Sequence, residues 1–419
     1  MLCRPLMQLM TYENSKRLSQ PLDLIERMES FFTPNFLYDV IPTAISAVLI
    51  AVVFFSYLFS KKKVDLYHSI PVNRRKLFTL NFVAGIIVYA IAAAAELLIS
   101  VLIAIPNHYM TGTAFVNLFV TMLTNAVHFL YVYGITIFAI MLTGNMIVAV
   151  TGTALISLYY AAAAALIEYF QATMFVTYIG FDDIKEEILT KYSWLSPMTS
   201  HITIANRFGW GSRAYTSAWQ AIPAIIMPLI MAADFICFAY MLYMRRPSEA
   251  AGKALAFKKS RVIIEVPAVI LGGLAGAWFT MSSVSSFRTK WMWLGLVLGA
   301  ILVHCIIEII FNESFKALFS HKIQLAATLA VTAAILFMFA GDVTGFDKHI
   351  PDRESIASAA VCFNGVDDNL SYMHIVDDPQ SETGYSVSYS GGTYYTLSRP
   401  FTDELLIDKI YAISNIGVS

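Results

Sequence analysis

The sequence predicts an all-α polytopic membrane protein of about eight spans, with a small α+β segment, external, at its C-terminal end. Three observations predict it. First, 58% of the 419 residues are hydrophobic and only 14% are charged, against roughly 25% charged in a soluble globular domain. Second, apolar runs long enough to cross a bilayer, which takes about 20 residues, recur along residues 37–341. Third, the texture changes completely at residue 342, where short alternating pieces replace the long runs.

Each element follows in order. Residues 1–36 are mixed; the opening MLCRPLMQLM is apolar but too short to span. The runs then occupy about 37–60, 79–105, 114–143, 146–170, 218–244, 262–281, 291–311 and 323–341. Pro106-Asn107-His108 closes the second run and Gly144-Asn145 turns the third into the fourth. A long polar stretch, 171–217, carries Asp182, Asp183, Glu186 and Glu187. The loop 244–261, RRPSEAAGKALAFKKSR at its core, is strongly basic. In 342–419, GYSVSYSGG and TYYTLSRP have period-two texture around a Gly-Gly turn, which predicts a hairpin between them. Thr402 to Ile413 reads as a helix with Thr402 as its cap. The four cysteines are scattered without metal-ligand spacing, and no cleavable secretory signal is visible.

Basic residues orient the spans. With 61–78 placed in the cytosol, the inner segments hold fourteen Lys and Arg and the outer loops six, as the positive-inside tendency requires. Trp219, Trp278, Trp291 and Trp293 then fall near the outer ends of their runs, as an interfacial belt does. The N-terminal segment is external in this arrangement, which points to an earlier span missing from the start of the chain. The tail reads as the beginning of a larger external domain. With net charge near zero and most of the chain in lipid, nucleic acid is not an expected partner.

The stretch Lys61 to Phe78, KKKVDLYHSIPVNRRKLF, carries six of the 28 basic residues between two apolar runs. Pro71 disfavours helix at Ile70, so a short amphipathic helix stops there. Asn73 is placed to cap a second helix that continues through Leu77 and Phe78 into the next span. The result is a basic, broken element fused to the start of a spanning helix.

The pattern DLYHSIPVNRRKLF resembles the signature of bacterial type-2 ABC exporter permeases: His-Ser-Leu-Pro, a short gap, Arg, then Leu-Phe entering a membrane helix. Here Ile70 stands at the commonest leucine position. The loop RRPSEAAGKALAFKKSR is similar to one in a Firmicutes subgroup with extra spans and an external C-terminal domain. The resemblance covers the layout of 37–341, and residue detail in these two loops. It implies that 61–78 is a coupling element docking on a cytosolic ABC ATPase. Asp65, Leu66, His68, Ser69, Ile70 and Pro71 would face that ATPase, with Arg74 and Arg75 flanking the joint. It also implies a second permease subunit, identical or related, and location in the bacterial cell membrane.

The chain itself offers no phosphate-binding loop: Gly252-Lys253 is followed by alanine and lacks the preceding glycine. ATP and Mg are therefore expected in the separate ATPase, with no cofactor and no catalytic residues here. Glu96, His128, Asp234, His304 and Glu308 lie within apolar runs. A charge at mid-membrane costs roughly 2.5–3.5 kcal/mol on insertion scales, so such groups face protein or water. Glu96 and Asp234 are the deepest candidates for a transport path or an inter-helix contact, and His128 could bond to either. Buried polar glue between helices is the plainer reading of each. His304 and Glu308, at i and i+4, share a helical face; two ligands without a third assign no metal. Small residues, Ala92 to Ala95, Ala161 to Ala165, Gly272, Gly273 and Gly276, allow close helix approach.

The expectation is thus an ABC exporter permease of unknown substrate. Two other classes remain open. An ion-coupled secondary transporter or channel would use Glu96 and Asp234, and a membrane sensor or scaffold would act through 342–419.

Overall fold

The computed structural model describes residues 32, 35–105, 111–175, 178, 192–208, 218–257, 260–284, 288–312, 315, 318, 321–350, 352–358, 371–377, 385–391 and 402–418. Almost all of the segment 1–36 and the acidic cluster at 182–187 lie outside these. Eight of the described helices are long and apolar enough to cross a membrane. Their exposed sides carry large apolar residues such as Ile45, Leu49, Leu80, Ile91, Leu298 and Phe279, as expected where hydrocarbon is the solvent.

The chain divides into two compact units, residues 1–174 with 179–337, and residues 175–178 with 338–419. In the first unit α1 (Ile41–Phe55) follows a π turn at Phe36–Val40 and buries Ala44, Ala47, Ala51 and Phe55. A 3-10 turn, Ser56–Phe59, leads to α2 (Lys61–Ser69). Next come α3 (Arg74–Ala104), α4 (Gly112–Leu142) and α5 (Met146–Met174). Then follow α6 (Pro197–Phe208), α7 (Ala218–Arg245), α8 (Ser260–Ser283), α9 (Arg288–Asn312) and α10 (Lys322–Ala340).

The hub is α4. Of its most apolar window 83% is buried, against 17% for α3, which shows one narrow face to protein and the rest outward. Helices α1, α5, α6 and α7 all pack on α4. Its aromatics interlock with its neighbours: Phe129 stacks on Tyr89 of α3 at 3.7 Å, and Tyr133 lies 5.6 Å from Phe82. Gly85 of α3 admits this approach, because a Cβ there would fall 2.1 Å from the Tyr133 hydroxyl.

Helices α8 and α9 form a hairpin on a glycine seam. A Cβ on Gly276 would come within 2.2 Å of the Gly295 carbonyl, and one on Gly299 within 2.3 Å of the Gly272 carbonyl. The small residues read from the sequence at 272 and 276 thus permit backbone contact.

The polar stretch 171–217 is not simply a loop. Its part Ser193–Phe208 folds into the bundle as a 3-10 turn and α6, which packs on α4, α5 and α7. Irregular backbone at such depth needs protein partners. They are present: Ser196 Oγ donates to the Ser157 carbonyl at 2.6 Å, and Tyr131 donates to the Trp194 carbonyl at 2.9 Å.

In the second unit Phe175 stacks on Phe346 at 4.9 Å, and Asp342 accepts hydrogen bonds from the amides of Phe346 and Asp347. Two strands pair antiparallel, β1 (Ser371–Asp377) with β2 (Tyr385–Gly391), with Ile375 opposite Val387. YSVSYSG is a strand and pairs with the preceding SYMHIVD on one edge; TYYTLSRP, the expected second strand of the hairpin, lies outside the described residues. The last helix, α11 (Glu404–Val418), is capped by Asp403 rather than Thr402, since Asp403 Oδ1 accepts from the Leu406 amide at 3.1 Å.

Candidate functional site

The broken element forms as the sequence requires. Helix α2 ends at Ser69, Ile70 turns extended ahead of Pro71, and Asn73 Oδ1 accepts from the Arg75 amide at 3.3 Å to start α3. Only four residues separate the short helix from a spanning helix, so tilting one loads the other.

Helix α2 has a holding side and an outward side. Val64 is buried, and Tyr67 stacks on Tyr57 at 4.4 Å. The Tyr57 hydroxyl in turn lies 2.9 Å from that of Tyr243 at the end of α7. Facing out are Asp65, Leu66, Ser69, Ile70 and Pro71, with Lys61, Lys62, Lys63 and Arg75 around them. Leu66 is 62% exposed, and Ile70 and Val72 are also exposed. His68 lies in the helix, but its side chain is not among those described. Arg74 and Arg75 diverge: Arg75 is exposed, whereas Arg74 is half-buried and its Nη1 donates to the Arg246 carbonyl at 3.4 Å.

Arg246 is the residue that sequence reasoning missed. It was one positive charge among several in the loop 244–261; in the structure it is buried. Its Nη1 donates to the carbonyls of Ile140 and, at 3.1 Å, Met141; its Nη2 donates to Leu58 at 3.2 Å. Those oxygens end α4 and the 3-10 turn after α1, where helix carbonyls run short of amide partners; the Ile140 carbonyl also accepts from the Thr143 amide at 3.4 Å. A guanidinium also suits the negative end of a helix dipole. Burial lowers the Arg246 pKa to about 10, Tyr57 and Tyr243 acting the other way, so it stays charged at neutral pH. The one sequence signal was its place directly after a span.

The same loop is zipped to the α4–α5 turn. Gly252 donates its amide to the Gly144 carbonyl at 2.9 Å, Ala256 to Leu142 at 2.9 Å, and Thr143 bridges Leu255. Gly144 has no space for a side chain, since a Cβ would lie 1.9 Å from the Ala250 carbonyl. Helix α2 touches the 3-10 turn Ser248–Ala250 of this loop. The two segments singled out in the sequence therefore meet at one end of the bundle.

The intramembrane candidates separate. Glu96 is buried on α3. His128 is buried and its Nδ1 lies 3.1 Å from the Pro197 carbonyl, with its ring edge-on to that of His201 on α6. Asp234 is exposed at the middle of the α7 span. On the single chain it stands off the buried face of α7 that Ala232 and Ala239 mark. His304 and Glu308 are fully buried on α9, and both face Glu265 of α8, which the sequence reading passed over. Its signal was the i, i+4 pair with Arg261.

A cavity of about 430 Å³ lies among α4, α5 and α8, lined by Phe138, Leu155, Tyr159, Tyr160, Ile263 and Pro267 among others. No family model, no curated protein and no solved structure matches this chain.

Proposed function

We propose that the chain is the membrane permease subunit of an ATP-driven ABC exporter, in the bacterial cell membrane, with α2 as the part that a separate cytosolic ATPase grips. The observation that carries this reading is the build of α2. It presents Leu66, Ile70 and Pro71 outward on a basic rim, while Val64, Tyr67 and Arg74 hold it to the bundle. Exposed apolar residues on a polar helix outside the spans suit a protein groove better than water. Rigid continuity into α3 suits force transmission.

The remaining parts follow. ATP and Mg belong to the ATPase, which would tilt α2 on binding nucleotide. A second permease subunit is favoured by Asp234, because a carboxylate facing lipid at mid-span is costly; a neighbouring subunit would cover it. Counting spans outward from a cytosolic α2 puts the residues after 341 outside, where the strand pair and α11 would form an external α+β segment. The apolar cavity lined by Tyr159 and Tyr160 is a place for an apolar part of the cargo.

The test is co-purification from native membranes, wild type against Arg74→Glu with Arg75→Glu, and against Leu66→Pro. An ATPase that comes down with the wild type and is lost with the variants supports the reading. Recovery of no ATPase under mild detergent and cross-linking refutes it and leaves the ion-coupled class, with buried Glu96.

A further inference from the structure

Toward the end of the bundle that holds α2, α8 and α9 bring Arg261, Glu265, His304 and Glu308 together, with His321 just ahead of α10. The exposures of Glu265, His304 and Glu308 are 1%, 0% and 0%. Arg261 Nε donates to Glu265 Oε2 at 3.0 Å, and its Nη2 donates to Glu308 Oε1. His321 Nδ1 is 2.9 Å from that same oxygen, and Asn312 donates to Glu308 Oε2 at 2.6 Å.

What these bonds leave over is informative. Glu265 Oε1 and both ring nitrogens of His304 are buried with no hydrogen bond. Yet His304 Nδ1 lies 2.8 Å from Glu265 Oε1 and His304 Nε2 lies 3.8 Å from Glu308 Oε1. At 2.8 Å a directed N–H···O bond would form if the oxygen lay on the ring-nitrogen axis. It lies off that axis. Two such atoms, close together with lone pairs not aimed at each other, are arranged as neighbouring ligands of a third atom. Bonds of about 2.0–2.2 Å from an ion to imidazole and carboxylate place adjacent ligand atoms roughly 3 Å apart. One ligand atom from each of Glu265, His304 and Glu308 falls within 4.8 Å of the others.

We propose that Glu265, His304 and Glu308 bind a divalent transition-metal ion, of the zinc class by their nitrogen and oxygen donors. Arg261 holds the place of that ion in its absence. With the imidazoles of His304 and His321 neutral, two carboxylates exceed one guanidinium by a charge, an imbalance that is expensive in a buried site. A divalent ion balances the pair once Arg261 withdraws. Arg261 can withdraw, because it lies in the first turn of α8 with its side chain 15% exposed and a long stem reaches the interface. The occupied site would pin α8 to α9. It is independent of the exporter reading, and neither outcome below bears on that reading.

The experiment uses the full chain in detergent, stripped with chelator and then titrated with Co²⁺, read by visible absorption, and with Zn²⁺, read by metal content after gel filtration. One ion per chain is expected, with cobalt bands in the visible region. His304→Gln and Glu265→Gln are each expected to weaken binding by about tenfold or more. Arg261→Gln, which keeps every ligand, is expected to tighten it several-fold and serves if the ligand variants fold poorly. Sub-stoichiometric binding by wild type and Arg261→Gln overturns the proposal, as does equal affinity across all four proteins. Either result leaves Arg261, Glu265, His304 and Glu308 as a buried polar cluster between α8 and α9.

Discussion

The guanidinium of Arg74 and the main-chain carbonyl of Arg246, 172 residues apart in sequence, are joined at 3.4 Å. Arg246 in turn spends its own guanidinium on three carbonyls that end α4 and the turn after α1. A displacement of α2 is thus met at once by the starting turn of α3 and by the ends of α1, α4 and α7.

Arg246→Gln should destabilise the bundle. The Ile140 carbonyl keeps the Thr143 amide, but the carbonyls of Met141 and Leu58 would lose the guanidinium, and a carbonyl left without a donor in a buried site costs about 1–3 kcal/mol. Thermal aggregation followed by fluorescence size exclusion should show a clear drop in midpoint. Arg246→Lys should recover only part of it, because an ammonium lacks the planar fork. An unchanged midpoint for Arg246→Gln would mean that the three bonds contribute nothing.

Gly144→Val should loosen the joint between the α4–α5 turn and the loop 246–257. A side chain there meets the carbonyls of Ala250 and Lys253, and overpacking of this kind costs about 1–3 kcal/mol. Limited proteolysis should cut the loop faster in the variant. Gly252, with φ of +81° and open space around it, should be far more sensitive to a β-branched residue than to asparagine, which tolerates that conformation.

Gly276→Leu should separate α8 from α9, whose backbones touch at Gly276 and Gly295. Cysteines placed at exposed positions of the hairpin would then lose their disulfide cross-linking pattern. Retention of the wild-type pattern would argue against a close-packed seam.

On the exporter proposal, Ala163→Trp should fill the cavity beside Tyr159 and Tyr160 and reduce export without affecting recovery of the proposed ATPase. Loss of both together would place the cavity in the folding of the bundle instead.

Asp234→Leu removes an exposed carboxylate from the middle of a span. If lipid were its neighbour, the change should raise yield and stability, since about 2.5–3.5 kcal/mol of insertion cost is relieved. The expected outcome is the opposite: loss of subunit association, seen by native gel or cross-linking, while the single subunit remains folded.

Much of the architecture was legible in the sequence because the bilayer imposes simple rules. A span must be long and apolar, so all eight spans were found within a few residues of their ends. The Pro71 break and the Asn73 cap were legible because they depend on neighbours in sequence. What escaped depends on distant partners. Arg246 and Glu265 looked like loop and helix-start charges; only tertiary structure shows which carbonyls and imidazole they meet. Helix α6 hid in a polar stretch because its Ser200, His201 and Thr203, and Ser196 just before it, are buried among bundle partners rather than in water. The pairing of β2 with 371–377 escaped because strand texture names candidates, while register between segments decides pairing.

The most direct measurement is site-specific photo-cross-linking in native membranes with a light-activated amino acid at position 66. The coupling account predicts an adduct with a cytosolic ATP-binding protein, enhanced or lost on adding nucleotide, and no such adduct from the buried position 64. Adducts with lipid alone, or equal capture from 64 and 66, would contradict it.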